Sequence, residues 1–172
     1  MTMIWIALGV LVFALGLWAL SGWQQSRAGL PPGRVIHIDT THLRRPEGTF
    51  FSANYGLTGR PDYLVNQGGR IIPIEVKSGD APVAPYRSHI YQLAAYGLLI
   101  EEHFGQRPAH GILKYRDRAI QIPFTPQLMD GVKTLLEEMR ADAGAENLDR
   151  SHDERARCGS CGFRASCDQS LR

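Results

Sequence analysis

Cysteine is nearly absent from this chain: three occur in 172 residues, Cys158, Cys161 and Cys167, all within a short stretch near the C-terminus. An odd number so tightly bunched excludes a disulfide framework and points instead to a metal site. Lysine is equally scarce, since Lys77, Lys114 and Lys133 are the only ones among nineteen basic residues, and formal net charge is only +2. That balance excludes a protein that coats nucleic acid by bulk charge. The remaining basic residues are arginines, which pair bidentately with phosphate. No Lys or Arg precedes Arg27, so the basic start of a cleaved signal peptide is missing. No internal repeat is visible, which excludes a solenoid.

What the N-terminus does have is apolar length. Met3 to Leu20 runs without a charge, Ser21-Gly22-Trp23 extends it, and Trp18 and Trp23 fall at its end. About 20 apolar residues cross a bilayer, and aromatics collect at the interface. Residues 1–23 are therefore expected to form a transmembrane anchor, with a buried core helix as the alternative. Arg27, Arg34, Arg44 and Arg45 all follow the span, which predicts an outside N-terminus and a cytoplasmic body. Residues 24–33, containing Gly29-Leu30-Pro31-Pro32-Gly33, read as a linker. Residues 34–143 then make one ordinary domain, and residues 144–172 a cysteine-containing tail.

Within that domain the patterning predicts strands at 34–40, 50–55, 62–66 and 70–78, a helix at 88–104, strands at 110–115 and 119–123, and a second helix after Pro126. The fold class is α/β, a mixed central sheet flanked by helices. The densest chemistry lies between Gly59 and Lys77. Residues two apart on a strand share a face, so Glu75 and Lys77 in Ile74-Glu75-Val76-Lys77 point the same way. Asn66-Gln67-Gly68-Gly69 is turn chemistry, so a hairpin brings Asp62 back beside Glu75. Asp62, Glu75 and the Val76 backbone carbonyl suit a hard divalent cation, Mg2+ or Mn2+, whose bound water attacks a phosphodiester while Lys77 steadies the transition state. The plainer alternative is a turn-capping Asp62 and an exposed cross-strand Glu75–Lys77 pair.

Gln92 and Tyr96, four apart, stand on one face of the first helix, where they either contact substrate or belong to an ordinary amphipathic face. Arg60, Arg87, Lys114, Arg116 and Arg118 cluster around the expected cleft and could grip a nucleic-acid backbone, although Arg116-Asp117-Arg118 also reads as a solvated turn. In the second helix Leu128, Val132, Leu135, Leu136 and Met139 recur at helical spacing and predict a core-facing stripe, with Thr125 as its cap.

In order, Gly59-Arg60-Pro61-Asp62, then Glu75-Val76-Lys77 after a hairpin, then Gln92-Leu93-Ala94-Ala95-Tyr96, then Cys-x2-Cys-x5-Cys resembles the RecB-type exonuclease branch of the PD-(D/E)XK nucleases. It looks most like the CRISPR-associated RecB-like exonucleases that carry an iron-sulfur cluster. The resemblance implies a restriction-endonuclease-like fold, a metal site at Asp62 and Glu75, catalytic Lys77, strand contacts from Gln92, Tyr96 and Arg60, and DNA with free ends or single strands as substrate. It also implies a [4Fe-4S] cluster on Cys158, Cys161 and Cys167, although four thiolates are usual and one is missing. His42 as fourth ligand, zinc completed by His152, or no metal at all remain open for the triad. Members of the branch place a helical segment with a histidine and a first cysteine upstream of the aspartate, and that segment is missing here. His37 and His42 are the histidines left to replace it.

The expectation is thus a membrane-tethered, metal-dependent DNA nuclease. A non-catalytic DNA-binding scaffold derived from one, and a membrane-bound metal or redox sensor, are the alternatives.

Overall fold

The structure is a computed structural model describing residues 5–6, 9–13, 34–36 (backbone only), 43–146 and 148–171. Its seven strands and three labelled helices run β1 (Arg34–Ile36), β2 (Phe50–Ser52), β3 (Leu57–Gly59), β4 (Tyr63–Gln67), β5 (Arg70–Val76), α1 (Arg87–Phe104), β6 (His110–Lys114), β7 (Ala119–Pro123), α2 (Pro126–Ala143) and α3 (Arg155–Gly159). Five strands form one sheet in the order β1-β7-β6-β5-β4, and β2 and β3 form a separate hairpin. The β5–β6 pair is parallel, with α1 as its crossover, and the other pairs are antiparallel. The expected mixed α/β sheet is present. Strand β3 and helix α3 were not expected.

The hairpin between β4 and β5 turns as its residues dictate. Gly68 and Gly69 take φ of +59° and +83°, which only glycine adopts without strain, and Asn66 Oδ1 accepts from the Gly69 amide at 3.0 Å. Tyr63 pairs with Ile74 and Gln67 with Arg70, so the register continued one step sets Asp62 opposite Glu75. Strand β4 begins at Tyr63, one residue later than expected.

Helix α1 starts after Pro85 and stops at Gly105, whose φ of +71° ends it in the left-handed conformation. Its Ile90, Leu93, Ala94, Leu98, Leu99 and Ile100 are buried. Each large side chain so buried contributes about 1.5–3 kcal/mol. The close fit comes from small residues: a Cβ on Gly111 would lie 2.7 Å from Leu93, and one on Gly97 would lie 2.7 Å from Phe124. Ile72, Ile74, Ile112 and Ala119 form a second buried cluster, flanked by Leu43, Tyr63 and Val65.

Two compact units divide the chain at residues 135 and 136. In α2, Thr125 Oγ1 accepts from the Leu128 amide at 3.3 Å, the expected cap, and Leu128, Met129 and Val132 are buried. Leu135 and Met139 are exposed, so the expected stripe faces a core over the first half of the helix only. In the second unit Gln169 Nε2 donates to the Leu148 carbonyl, and the Arg150 guanidinium donates to the carbonyls of His152 and Gln169.

No helix among the described residues is long and apolar enough to cross a membrane. Of the expected anchor, residues 9–13 are helical, and most of the run from Met3 to Leu20, like the 24–33 linker, His37 and His42, lies outside the described residues.

Candidate active site

Glu75 and Lys77 project from the end of β5 onto the face that α1 covers. Lys77 Nζ donates to Glu75 Oε1 at 2.9 Å and to Gln92 Oε1 at 2.8 Å, and Gln92 Nε2 donates to the Tyr96 hydroxyl at 3.0 Å. Because an ammonium can only donate, the Gln92 amide orientation is fixed by this chain. Two acceptors occupy Lys77, leaving its third N–H for another partner. The pair is no exposed cross-strand bridge: Glu75 is 7% exposed.

Asp62 joins the same point through the backbone. Its Oδ2 accepts from the Val76 amide at 2.8 Å. Even-numbered residues of β5 turn their N–H and C=O toward β4, and the register places Pro61 opposite Val76. Pro61 has no N–H to offer, so the Val76 carbonyl has no ladder donor there and faces the side on which Asp62 stands.

The electrostatics follow from burial. Loss of water raises the Glu75 carboxyl above its usual range; the Lys77 hydrogen bond opposes this, and the neighbouring Asp62 charge adds to it. Burial also raises the Tyr96 phenol, with the Gln92 hydrogen bond opposing and the charges of Glu75 and Asp62 assisting. Two carboxylates face one ammonium, which leaves a net negative charge and three oxygen donors of the kind that magnesium or manganese prefers. The donor set fits such a cation.

The close approach of Tyr96 depends on Gly59, where a Cβ would lie 2.9 Å from Tyr96 Cε1 and 3.0 Å from Leu99 Cδ1. The hairpin carrying Gly59 is fastened to α1 by a hydrogen bond from the buried Ser52 hydroxyl to Glu102. Arg60 is exposed beside Asp62, in an open groove lined by Arg45, Arg60, Pro61, Asp62, Tyr63, Val76 and Ser78. Arg45 lies over the Tyr63 ring, 5.4 Å from its centroid.

Other expected residues go elsewhere. Arg116 pairs with Asp80 at 2.5 Å and Arg118 with Asp117 at 2.8 Å, and Asp117 also accepts from the Ala81 amide. Arg116 and Asp117 thus join two surface loops, while Arg118 pairs within its own. Cys158 is buried, Cys161 exposed and Cys167 intermediate, all as free thiols. Among the described residues no three His, Cys, Asp or Glu side chains gather at one point, and His152 Nδ1 accepts from the Glu154 amide at 3.2 Å. The described residues do not complete a four-ligand iron-sulfur or zinc set, and His42, the other candidate ligand, lies outside them.

Sequence reasoning overlooked His89 and Tyr115, joined at 3.0 Å. Extending the Gln92–Tyr96 face one turn backwards would have reached His89. Arg45 gave no local signal, being 18 residues from Tyr63.

A CRISPR-associated exonuclease Cas4/endonuclease Cas1 fusion from Myxococcus xanthus is 26% identical over 173 residues, covering 94% of this chain and 30% of that protein. This chain thus spans about 30% of the length of that curated relative. The crystal structure of SSO0001 aligns at 19% identity with a TM-score of 0.45, over 94% of this chain and 71% of that one. The model of the PD-(D/E)XK nuclease superfamily matches residues 10–168, nearly the whole length, and the chain belongs to that superfamily.

Proposed function

We propose that the protein is a divalent-metal-dependent deoxyribonuclease acting on single-stranded or free-ended DNA. The single observation that carries this reading is the convergence of Asp62, Glu75 and Lys77 at one point, with Lys77 locked by Gln92. Asp62, Glu75 and the Val76 carbonyl would hold the metal. When bound, magnesium or manganese acidifies a water and offsets charge on the phosphoryl oxygens.

The chain's own residues do the rest. Glu75 and Gln92 accept hydrogen bonds from two N–H groups of the Lys77 ammonium and so aim the third at the phosphoryl oxygen or the attacking water. Tyr96 holds the Gln92 amide, so it positions Lys77 through an intermediary. Arg60 and Arg45 flank the groove at Asp62, where a phosphate backbone enters. Likeness to a protein named as an exonuclease/endonuclease fusion supports nuclease activity, and the exonuclease in that name supports end-directed cutting. An apolar run at residues 3–20 and the basic residues after it support a membrane tether with the catalytic domain on the cytoplasmic side.

End-labelled single- and double-stranded DNA incubated with and without manganese tests the reading. Wild type should cut only with metal, and Lys77→Ala should be slower by a factor on the order of 10²–10³. Strand binding without metal-dependent turnover would establish the scaffold alternative; equal, metal-independent cutting by both proteins would refute the site. The same preparation, purified anaerobically, reports by visible absorbance and iron and zinc content on any group bound to the cysteine triad. The cutting reaction does not run through that group.

A further inference from the structure

Helix α1 carries a third polar side chain on the face of Gln92 and Tyr96. His89 lies three residues before Gln92, one turn or about 4.5 Å nearer the helix start. Its imidazole meets Tyr86 edge-on at 5.2 Å and lies tilted against Tyr115 at 5.9 Å, between ring centroids. These contacts hold the ring in one orientation.

Tyr115 is 2% exposed, and its hydroxyl lies 3.0 Å from His89 Nδ1, its one hydrogen-bond partner among the described residues. A buried hydroxyl proton needs an acceptor. Tyr115 therefore donates to Nδ1, which assigns the remaining ring proton to Nε2. Among the described residues Nε2 has no partner, yet no buried side-chain nitrogen or oxygen is left unpaired. The Nε2–H is open to solvent.

His89 stands at the Lys77 end of the site. Burial and the Lys77 ammonium both lower its pKa from the usual value, so it is neutral at neutral pH. The two carboxylates act on Tyr96 and not on His89. A nitrogen that already carries a proton cannot accept one or ligate a metal, so in this tautomer Nε2 serves as a fixed, uncharged donor.

We propose that His89 is a further substrate-contacting residue, whose Nε2–H donates to a phosphate oxygen of the strand next to the phosphate that Lys77 faces. The inference rests on the nuclease reading for the identity of its ligand. Tyr115 is the positioning residue that fixes the tautomer.

The test is fluorescence anisotropy of a labelled single-stranded oligonucleotide at pH 8 in EDTA, where no cutting occurs, repeated across a salt series. His89→Ala should raise Kd about tenfold, the effect of one hydrogen bond to a charged group. The slope of log Kd against log salt should not change, since an uncharged donor releases no counterion. His89→Gln, which keeps an N–H donor, should recover most of the loss, and Tyr115→Phe should weaken binding about threefold with the slope again unchanged. Unchanged Kd in His89→Ala, a slope smaller by about 1, or no binding by wild type would each overturn the inference. If His89→Ala loses its cooperative melt, His89→Gln and Tyr115→Phe decide on the same criteria. Wild type that binds but never cuts with manganese removes the nuclease reading alone; wild type that cuts while His89→Ala binds equally well removes this inference alone.

Discussion

Gly59→Ala is the smallest change that should damage this site without touching a reacting group. The added Cβ would sit 2.9 Å from Tyr96 Cε1 and 3.3 Å from Cδ1, against the roughly 3.5–4.0 Å at which carbons pack favourably. The Tyr96 ring must retreat by at least about 0.6 Å, because Leu93, Leu98, Leu99 and Ile100 hold the helix beneath it. Its hydroxyl now lies 3.0 Å from Gln92 Nε2, and a retreat of that size weakens the pair. Overpacking of this kind costs about 1–3 kcal/mol, or a melting temperature lower by about 2–12 °C in a chain of this size. Cleavage should fall about tenfold as Lys77 loses a rigid partner. Thermal melts and a cleavage assay on Gly59→Ala, Tyr96→Ala and the double variant give the decisive comparison. Tyr96→Ala removes the obstructing ring but leaves Leu99 Cδ1 at 3.0 Å, so adding Gly59→Ala to it should cost clearly less than it does in wild type, a coupling on the order of 1 kcal/mol. Additive losses would refute the close approach.

Two further outcomes follow from the charges. Burial raises the folded-state pKa of Glu75 above its unfolded value, so the metal-free protein should gain stability as pH falls from neutral through that raised value toward 4.5. Glu75→Gln should flatten this trend in pH-resolved melts and abolish the stabilisation that millimolar manganese gives wild type; an unchanged manganese effect would place the cation elsewhere. Arg116→Ala removes an exposed partner of Asp80 and should leave both melting temperature and cleavage at wild-type values, whereas a loss of strand binding would restore Arg116 to the groove.

The parts of the site legible in the sequence are those fixed by short-range geometry. Glu75 and Lys77 share a face because strands repeat every two residues, and Asn66 with Gly68 and Gly69 sets the hairpin register that returns Asp62 to them. Contacts set by tertiary packing left no such trace. Arg116 meets Asp80 from 36 residues away, His89 meets Tyr115 from 26, and β3 is three residues whose partner is the equally short β2. Gly59 looks like turn chemistry until α1 brings Tyr96 against it.

Pro61 shows how the two levels combine. Local rules make it the residue that ends pairing, since it cannot donate to a ladder. Its register partner is Val76, so the place where pairing ends is the place where both carboxylates meet. A residue with an N–H at position 61 could close the 61–76 pair, satisfying the Val76 carbonyl and competing with Asp62 for the Val76 amide. The interrupted ladder leaves that amide to orient Asp62 and that carbonyl without a ladder donor, where the proposed function would set the cation. A missing hydrogen bond at the sheet edge is therefore part of what the proposed metal site is built from.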